Sequence, residues 1–159
     1  MNLEHKLDKE ISALLKRSNS PRYNARKHYT YKDFFSDKML MIAAIRTGIP
    51  YSLFDLIQHF TPFSEADWAK FLDISTKSLS RYKQGAKSFR LAQSEKIVEL
   101  AEVTKAGIDV FGDMEKLRLW LNTPNFALGN SKPIEFLKDS YGKELVMGEL
   151  TRINYGILV

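Results

Sequence analysis

Residues 64–83 read Ser64-Glu-Ala-Asp-Trp-Ala-Lys-Phe-Leu-Asp-Ile-Ser-Thr-Lys-Ser-Leu-Ser-Arg-Tyr-Lys83. Two short helical segments separated by a turn are legible in that stretch. Trp68 and Leu72 share one face of the first segment, and Leu79 and Tyr82 share one face of the second. Ala69 supplies a small side chain where a second helix must cross closely. Asp73 stands at the turn position usually held by glycine, and aspartate is among the few residues that tolerate a positive φ. Ile74 plugs the turn, Ser75 is placed to cap the second segment, and Gly85 to end it. The pattern predicts a helix-turn-helix. With Leu79 and Tyr82 turned inward, its second helix exposes Thr76, Lys77, Ser80, Arg81 and Gln84.

Hydroxyls, an amide, a guanidinium and an ammonium suit phosphates and base edges. Thr76, Lys77, Ser80 and Arg81, near the helix start, are the candidates for base contact. Lys83, Lys87 and Arg90 are the candidates for phosphate anchoring. Residues 76–90 hold five Lys/Arg and no Asp/Glu. Residues 1–33 carry a net +4, 34–75 a net −2 and 91–159 a net −2, which gives the chain its +5. A basic segment free of acids suits a polyanion, because neutralised phosphates release their counterions. The other reading of such a run is a solvated helix face.

The chain has 159 residues, 44% of them apolar and 27% charged. That is the balance of a folded globular protein and excludes wholesale disorder. Without cysteine there is no disulfide and no thiolate metal site, which favours a cytoplasmic protein. No signal-peptide core opens the chain, and the apolar run at 39–45 is too short to span a bilayer.

Leu3, Leu7, Ile11, Leu14 and Leu15 predict a short amphipathic helix. Residues 18–21 read as a break and 22–31 as a flexible basic linker. One helix is expected over 34–46, ending at Gly48, and another over 52–60. Ile97, Ala101, Thr104, Ile108 and Phe111 mark one stripe of a long helix ended by Gly112. Asp113 caps the next helix, whose inward face is Leu117, Trp120 and Leu121. Pro133 and Gly142 are expected to bracket a helix over 134–141. A last helix carries Leu145, Val146, Leu150 and Ile153 and ends at Gly156. Met39 and Met41 read as gap-filling core, as do both tryptophans. The expected fold is mainly α, with room for at most a small hairpin. A helix-turn-helix DNA-binding domain is followed by a small, mostly helical toxin-binding and dimerisation domain, the second role resting on the resemblance below.

That resemblance is carried by the C-terminal third. It reads Val110-Phe-Gly-Asp113, then Trp120-Leu-Asn-Thr-Pro-Asn-Phe-Ala-Leu-Gly129. Pro133-Ile-Glu-Phe-Leu-Lys-Asp-Ser-Tyr-Gly142 and Val146-Met-Gly-Glu-Leu-Thr-Arg-Ile-Asn-Tyr-Gly156 follow. In order and spacing, with the helix-turn-helix before them, these blocks resemble the Xre/MbcA/ParS antitoxins over roughly residues 49–157. The resemblance implies three parts: a basic N-terminal helix and arm (1–45), an Xre-like helix-turn-helix domain (46–106) and a toxin-binding and dimerisation domain (107–159). It implies a RES-domain, NAD-degrading toxin as partner, promoter DNA of the same operon, and a homodimer that joins the toxin in a larger hetero-oligomer. It also implies that the C-terminal end blocks the toxin's active site. By position, the toxin-facing candidates are Arg152, Asn154, Tyr155, Gly156, Ile157, Leu158 and Val159. An apolar terminus of this kind is unusual unless docked, in its own domain or in a partner's cleft.

His5, His28 and His59 share no metal-ligand spacing, and no Gly-rich phosphate loop or activated nucleophile is recognisable. No catalytic residue, metal or cofactor is expected. A stand-alone transcription regulator and a protein-binding adaptor with the same fold remain the other readings. Asp73 in place of glycine is a departure from the family pattern, and the first 45 residues have no counterpart in it.

Overall fold

A computed structural model describes residues 2–156. Among them are nine α-helices and two single-turn 3-10 helices: α1 Leu3–Arg17, α2 Tyr31–Ser36, α3 Lys38–Thr47, α4 Tyr51–His59 and α5 Glu65–Phe71. After these come α6 Thr76–Gly85, α7 Leu91–Phe111, α8 Met114–Leu121, the 3-10 turns Phe126–Leu128 and Pro133–Phe136, and α9 Ser140–Asn154. Among the described residues, β-type pairing is confined to single bridges, Pro50 with Ser88 and Asn125 with Ser131. No helix among the described residues is long and apolar enough to cross a membrane.

Helix α7 is the axis, with α3 and α8 packed against it and α9 along it. Its buried face runs Ser94, Ile97, Val98, Leu100, Ala101, Val103, Thr104 and Gly107, so the expected stripe holds in its first half. Ile108 and Phe111 are only partly covered. Gly107 has a packing reason: a Cβ there would lie 2.3 Å from Leu117 Cδ1. The close approach of α8 therefore excludes any side chain. Thr104 returns its hydroxyl to the Leu100 carbonyl (2.8 Å), which satisfies a buried polar group within the helix. Lys96 Nζ donates to the Leu137 carbonyl and to Glu99 Oε2, each at 3.0 Å. Ser140 Oγ in turn donates to Glu99 Oε1 at 3.0 Å, tying α7 to the start of α9.

The N-terminal helix forms as its apolar spacing predicts: α1 inserts Leu7, Ile11, Leu14 and Leu15 into the core and packs on α2, α3 and α4. Burying each such side chain contributes about 1.5–3 kcal/mol before the cost of ordering it. The connection at 18–30 is pinned as well. Tyr29 is buried, its hydroxyl accepts from the Asn24 N–H (2.8 Å) and donates to the Arg22 carbonyl (3.1 Å), and its backbone exchanges hydrogen bonds with Ser12 Oγ. A buried aromatic anchors what a polar, basic composition reads as flexible.

Four further expectations are corrected. The helix expected over 34–46 is two helices, broken at Asp37 (φ −133°, ψ 106°), whose side chain accepts from the Met39 N–H and restarts the chain. Met41 is core but Met39 faces outward. The segment expected as a helix over 134–141 is a 3-10 turn followed directly by α9. Gly142 lies in the first turn of α9, not past a helix end, and its N–H donates to Asp139 Oδ1 at 2.7 Å. It is glycine because a Cβ would sit 1.8 Å from the Phe136 carbonyl oxygen. Along α9, Val146 and Leu150 are buried while Leu145 and Ile153 are exposed.

Candidate nucleic-acid and partner interfaces

The turn between α5 and α6 is built as its residues dictate. Ser64 caps α5 in a reciprocal box with Asp67, at 3.1 and 3.0 Å. Asp73 takes φ +53°, the left-handed conformation. The Ile74 N–H donates to the Ala69 carbonyl (3.0 Å), which folds the turn back onto the small residue that permits the crossing. Ser75 Oγ accepts from the Ser78 N–H (3.0 Å) and starts α6. Helix α6 ends at Gly85 as expected, but Ala86 and not the glycine adopts the left-handed cap (φ +47°). Its N–H and that of Lys87 donate back to the Lys83 and Tyr82 carbonyls.

Beneath α6 lies an aromatic cluster. Phe54 meets Trp68 edge-on at 5.1 Å and Phe89 at 5.0 Å, and Phe63 meets Trp68 at 5.7 Å. Tyr82 stacks on Phe89 at 4.5 Å with the planes 13° apart. The loop after α6 is fastened to the start of α4: the Phe89 N–H donates to Ile49 O (2.8 Å) and the Tyr51 N–H to Lys87 O (3.0 Å). Burial pushes the Tyr51 phenol up, helped by Asp55 and Glu65. That ring is therefore a neutral packing element beside the basic loop.

On this platform Thr76, Lys77, Ser80, Arg81, Lys83, Gln84, Lys87 and Arg90 are all exposed. None of the five cations among them makes an ion pair with the described residues. By contrast Lys96, Lys105, Lys116, Arg118 and Lys143 are each matched by a carboxylate. Gln93 on α7 was not anticipated. Its amide sits between the turn and α6, donating to Leu72 O and accepting from the Tyr82 hydroxyl, both at 3.4 Å. The only signal for it was an amide one position before the inward Ser94.

The second candidate surface lies at the other end of α7. Leu150 is the last buried residue of α9, and Arg152, Asn154, Tyr155 and Gly156 are exposed beyond it. Arg152 has a long contact to Glu149 (3.7 Å) on its own helix. Ile157, Leu158 and Val159 lie outside the described residues. Trp120 is half-buried against Phe111 (5.6 Å), so it borders the core of this module without filling it. The Asn125–Leu128 corner turns on the Asn125 side chain, which accepts from the Ala127 N–H. No group of His, Asp and Glu among the described residues could hold a metal ion.

Comparison with known proteins places both halves. Residues 40–102 match the antitoxin Xre-like helix-turn-helix domain, and residues 106–156 match the antitoxin Xre/MbcA/ParS C-terminal toxin-binding domain. Antitoxin Xre of Photorhabdus laumondii is 30% identical over 117 residues, 73% of this chain and 79% of that one. The chain belongs to the Xre/MbcA/ParS antitoxin family. Another Antitoxin Xre, from Yersinia enterocolitica, is 26% identical over 119 residues, 74% of this chain and 80% of that one. The fold is shared with a chain in the crystal structure of the M. tuberculosis MbcT–MbcA toxin–antitoxin complex. Its TM-score is 0.55 at 20% identity, covering 67% of this chain and 94% of that chain. The α5–turn–α6 unit falls inside the first family domain, and the exposed end of α9 inside the second.

Proposed function

We propose that this antitoxin neutralises a RES-type, NAD-degrading toxin by filling its active-site cleft with the end of α9 and the residues that follow. As a cytoplasmic homodimer it also represses its own promoter through α6. It acts by occlusion and has no catalytic residue, metal or cofactor of its own. The observation that carries the reading is the helix end. Within the toxin-binding domain, Arg152, Asn154, Tyr155 and Gly156 stand exposed past Leu150, so they are free to enter a partner's cleft. Large aromatic and guanidinium groups are the usual anchors of such contacts. The reading of α6 is supported by five exposed cations without acidic partners and by the N-terminal position of Thr76, Lys77, Ser80 and Arg81. A two-fold dimer would present two copies of α6 to half-sites about 34 Å apart.

Co-expression of the toxin with a chain lacking residues 154–159 tests the first half. Toxicity is expected to return while promoter binding persists, and continued protection of the cells would exclude the tail as the inhibitory element. The K77A/R81A double variant is expected to lose promoter binding and keep toxin binding. Retained promoter binding would move the DNA surface away from α6.

A further inference from the structure

Residues 11–32, 38–54 and 74–94 hold six, two and five Lys/Arg respectively, and no Asp/Glu. The third run carries α6. The first two lead into the helix-turn-helix, and the fold brings parts of all three to one end of the molecule. Helix α3 stops there: Pro50 is bridged to Ser88, the Phe89 N–H donates to Ile49 O, and the Ile49 N–H donates to Ser94 Oγ in the first turn of α7 (2.9 Å). A Cβ on Gly48 would lie 2.9 Å from the Phe89 carbonyl oxygen. The last turn of α3 therefore abuts the loop that holds Lys87 and Arg90.

Helix α1 points to the same end. Its first half is held at the far side, where Asp8 Oδ1 accepts from the Tyr31 N–H (2.7 Å) and Tyr31 borders Thr104 and Ile108 in the second half of α7. Its last turn leads back toward the start of α7, and residues 18–21 then line a groove against Ile42, Ala43, Arg46 and Thr47 of α3. Arg17 at the end of α1 and Arg46 in the last turn of α3 are both exposed, and neither makes an ion pair among the described residues. Asn19, at the left-handed turn after α1 (φ +53°), is exposed as well. The acid-free surface stops where Arg22 is taken by Asp37 (3.0 Å) at the start of α3. Exposed cations are ordinary in themselves; what assigns these a partner is their continuity with Lys87 and Arg90.

We infer that Arg17, Asn19 and Arg46 hold the DNA backbone to one side of the base pairs that α6 faces. Residues before the helix-turn-helix match, which begins at residue 40, thus share in the DNA contact. The inference rests on the DNA reading of α6 and adds to it a surface that contributes affinity without sequence information. Guanidinium and amide groups are the side chains such backbone contacts use. Two packed helix ends with axes about 8–10 Å apart span roughly three base pairs at 3.4 Å per step, so the track along the duplex lengthens by that much.

Fluorescence anisotropy of the full-length chain, on promoter and random duplexes at about 50 to 200 mM salt, tests this. R17A/R46A, folded by circular dichroism, should bind both duplexes more weakly. Its slope of log affinity against log salt should be smaller by about 1.8, a roughly tenfold smaller loss of affinity across that salt range. K105A/K116A removes the same charge elsewhere, where both lysines are matched by carboxylates, and should keep the wild-type slope. If R17A/R46A keeps the wild-type slope while K77A/R81A loses the promoter, the second surface is wrong and the reading of α6 stands. An equal loss of slope in K105A/K116A would trace the effect to net charge and overturn the contact. So would a loss by R17A/R46A on promoter but not on random DNA, which would mean base reading. A wild type that binds no promoter DNA overturns both readings.

Discussion

Replacing Gly142 with alanine adds one methyl group where the chain has no room for it. The new Cβ would lie 1.8 Å from the Phe136 carbonyl oxygen and 2.7 Å from its carbon. Ordinary contact begins near 3.4 Å, so the 3-10 turn and the first turn of α9 must separate by about 1.6 Å. Neither side yields easily, since the obstacle is backbone and not a side-chain tip. Leu137 and Val146, both fully buried, flank the junction, so the separation opens the core there. It also strains the Asp139 cap on the Gly142 N–H. Overpacking of this kind costs about 1–3 kcal/mol, and a backbone clash belongs at the upper end. For a chain of this size about 3 kcal/mol corresponds to a fall in Tm of roughly 6–12 °C. Urea titration followed by circular dichroism should show a lower midpoint with an unchanged m-value. Gly85→Ala is the control. Its Cβ would meet only the Lys87 side chain, at 3.2 Å, and such a flexible tip moves aside, so its midpoint should stay within about 0.5 kcal/mol of the wild type. If Gly142→Ala and Gly85→Ala unfold together at the wild-type midpoint, the reason given for glycine at 142 is wrong.

Alanine at Lys83, Lys87 or Arg90 should weaken promoter and random DNA alike. Each true phosphate contact removed should shrink the slope of log affinity against log salt by about 0.9, measured by fluorescence anisotropy. Asp73→Val places a β-branched residue at φ +53° and should cost about 1–2 kcal/mol, read from thermal melts. Asp33 is held below the usual carboxylate range, chiefly by the Thr30 backbone N–H it accepts, then by the Thr30 hydroxyl, Lys27 and His28. Because its pKa is lowered on folding, its stabilisation is present above the ordinary carboxylate pKa and fades as pH falls through the lowered one. D33N should therefore melt below the wild type at pH 7 and converge with it in acid below about pH 4.

The features legible in the sequence were those set by local chemistry. Asp73 and Ser75 announced the turn because a left-handed backbone and an orphan N–H demand particular side chains. Asp113 and Gly112 did the same at the break between α7 and α8. What escaped was set by neighbours distant along the chain. Tyr29 pins a polar segment only because Ser12 lies across from it, and nothing local says so. Gly142 looked like a helix terminator because glycine has two uses, an unusual φ and a close approach, and only the Phe136 carbonyl distinguishes them. Ala86 took the left-handed cap that Gly85 seemed made for, because the loop must return to Ile49. Of the candidate contact residues, the exposed face of α6 followed from the inward positions of Leu79 and Tyr82. Gln93 did not, since its role depends on the turn and α6 meeting over the start of α7.

Helix α7 has a consequence beyond packing. Its first residues hold the turn and α6 through Gln93, and its later ones carry α9 through Glu99 and Glu102. The two halves are therefore joined by about 31 Å of unbroken helix and not by a linker. Their relative orientation is set by counting residues. Deleting one residue from the middle of α7 would turn one half by about 100° against the other. A chimera that exchanges the DNA-reading half must be spliced in phase with this helix, as gears are meshed tooth to tooth.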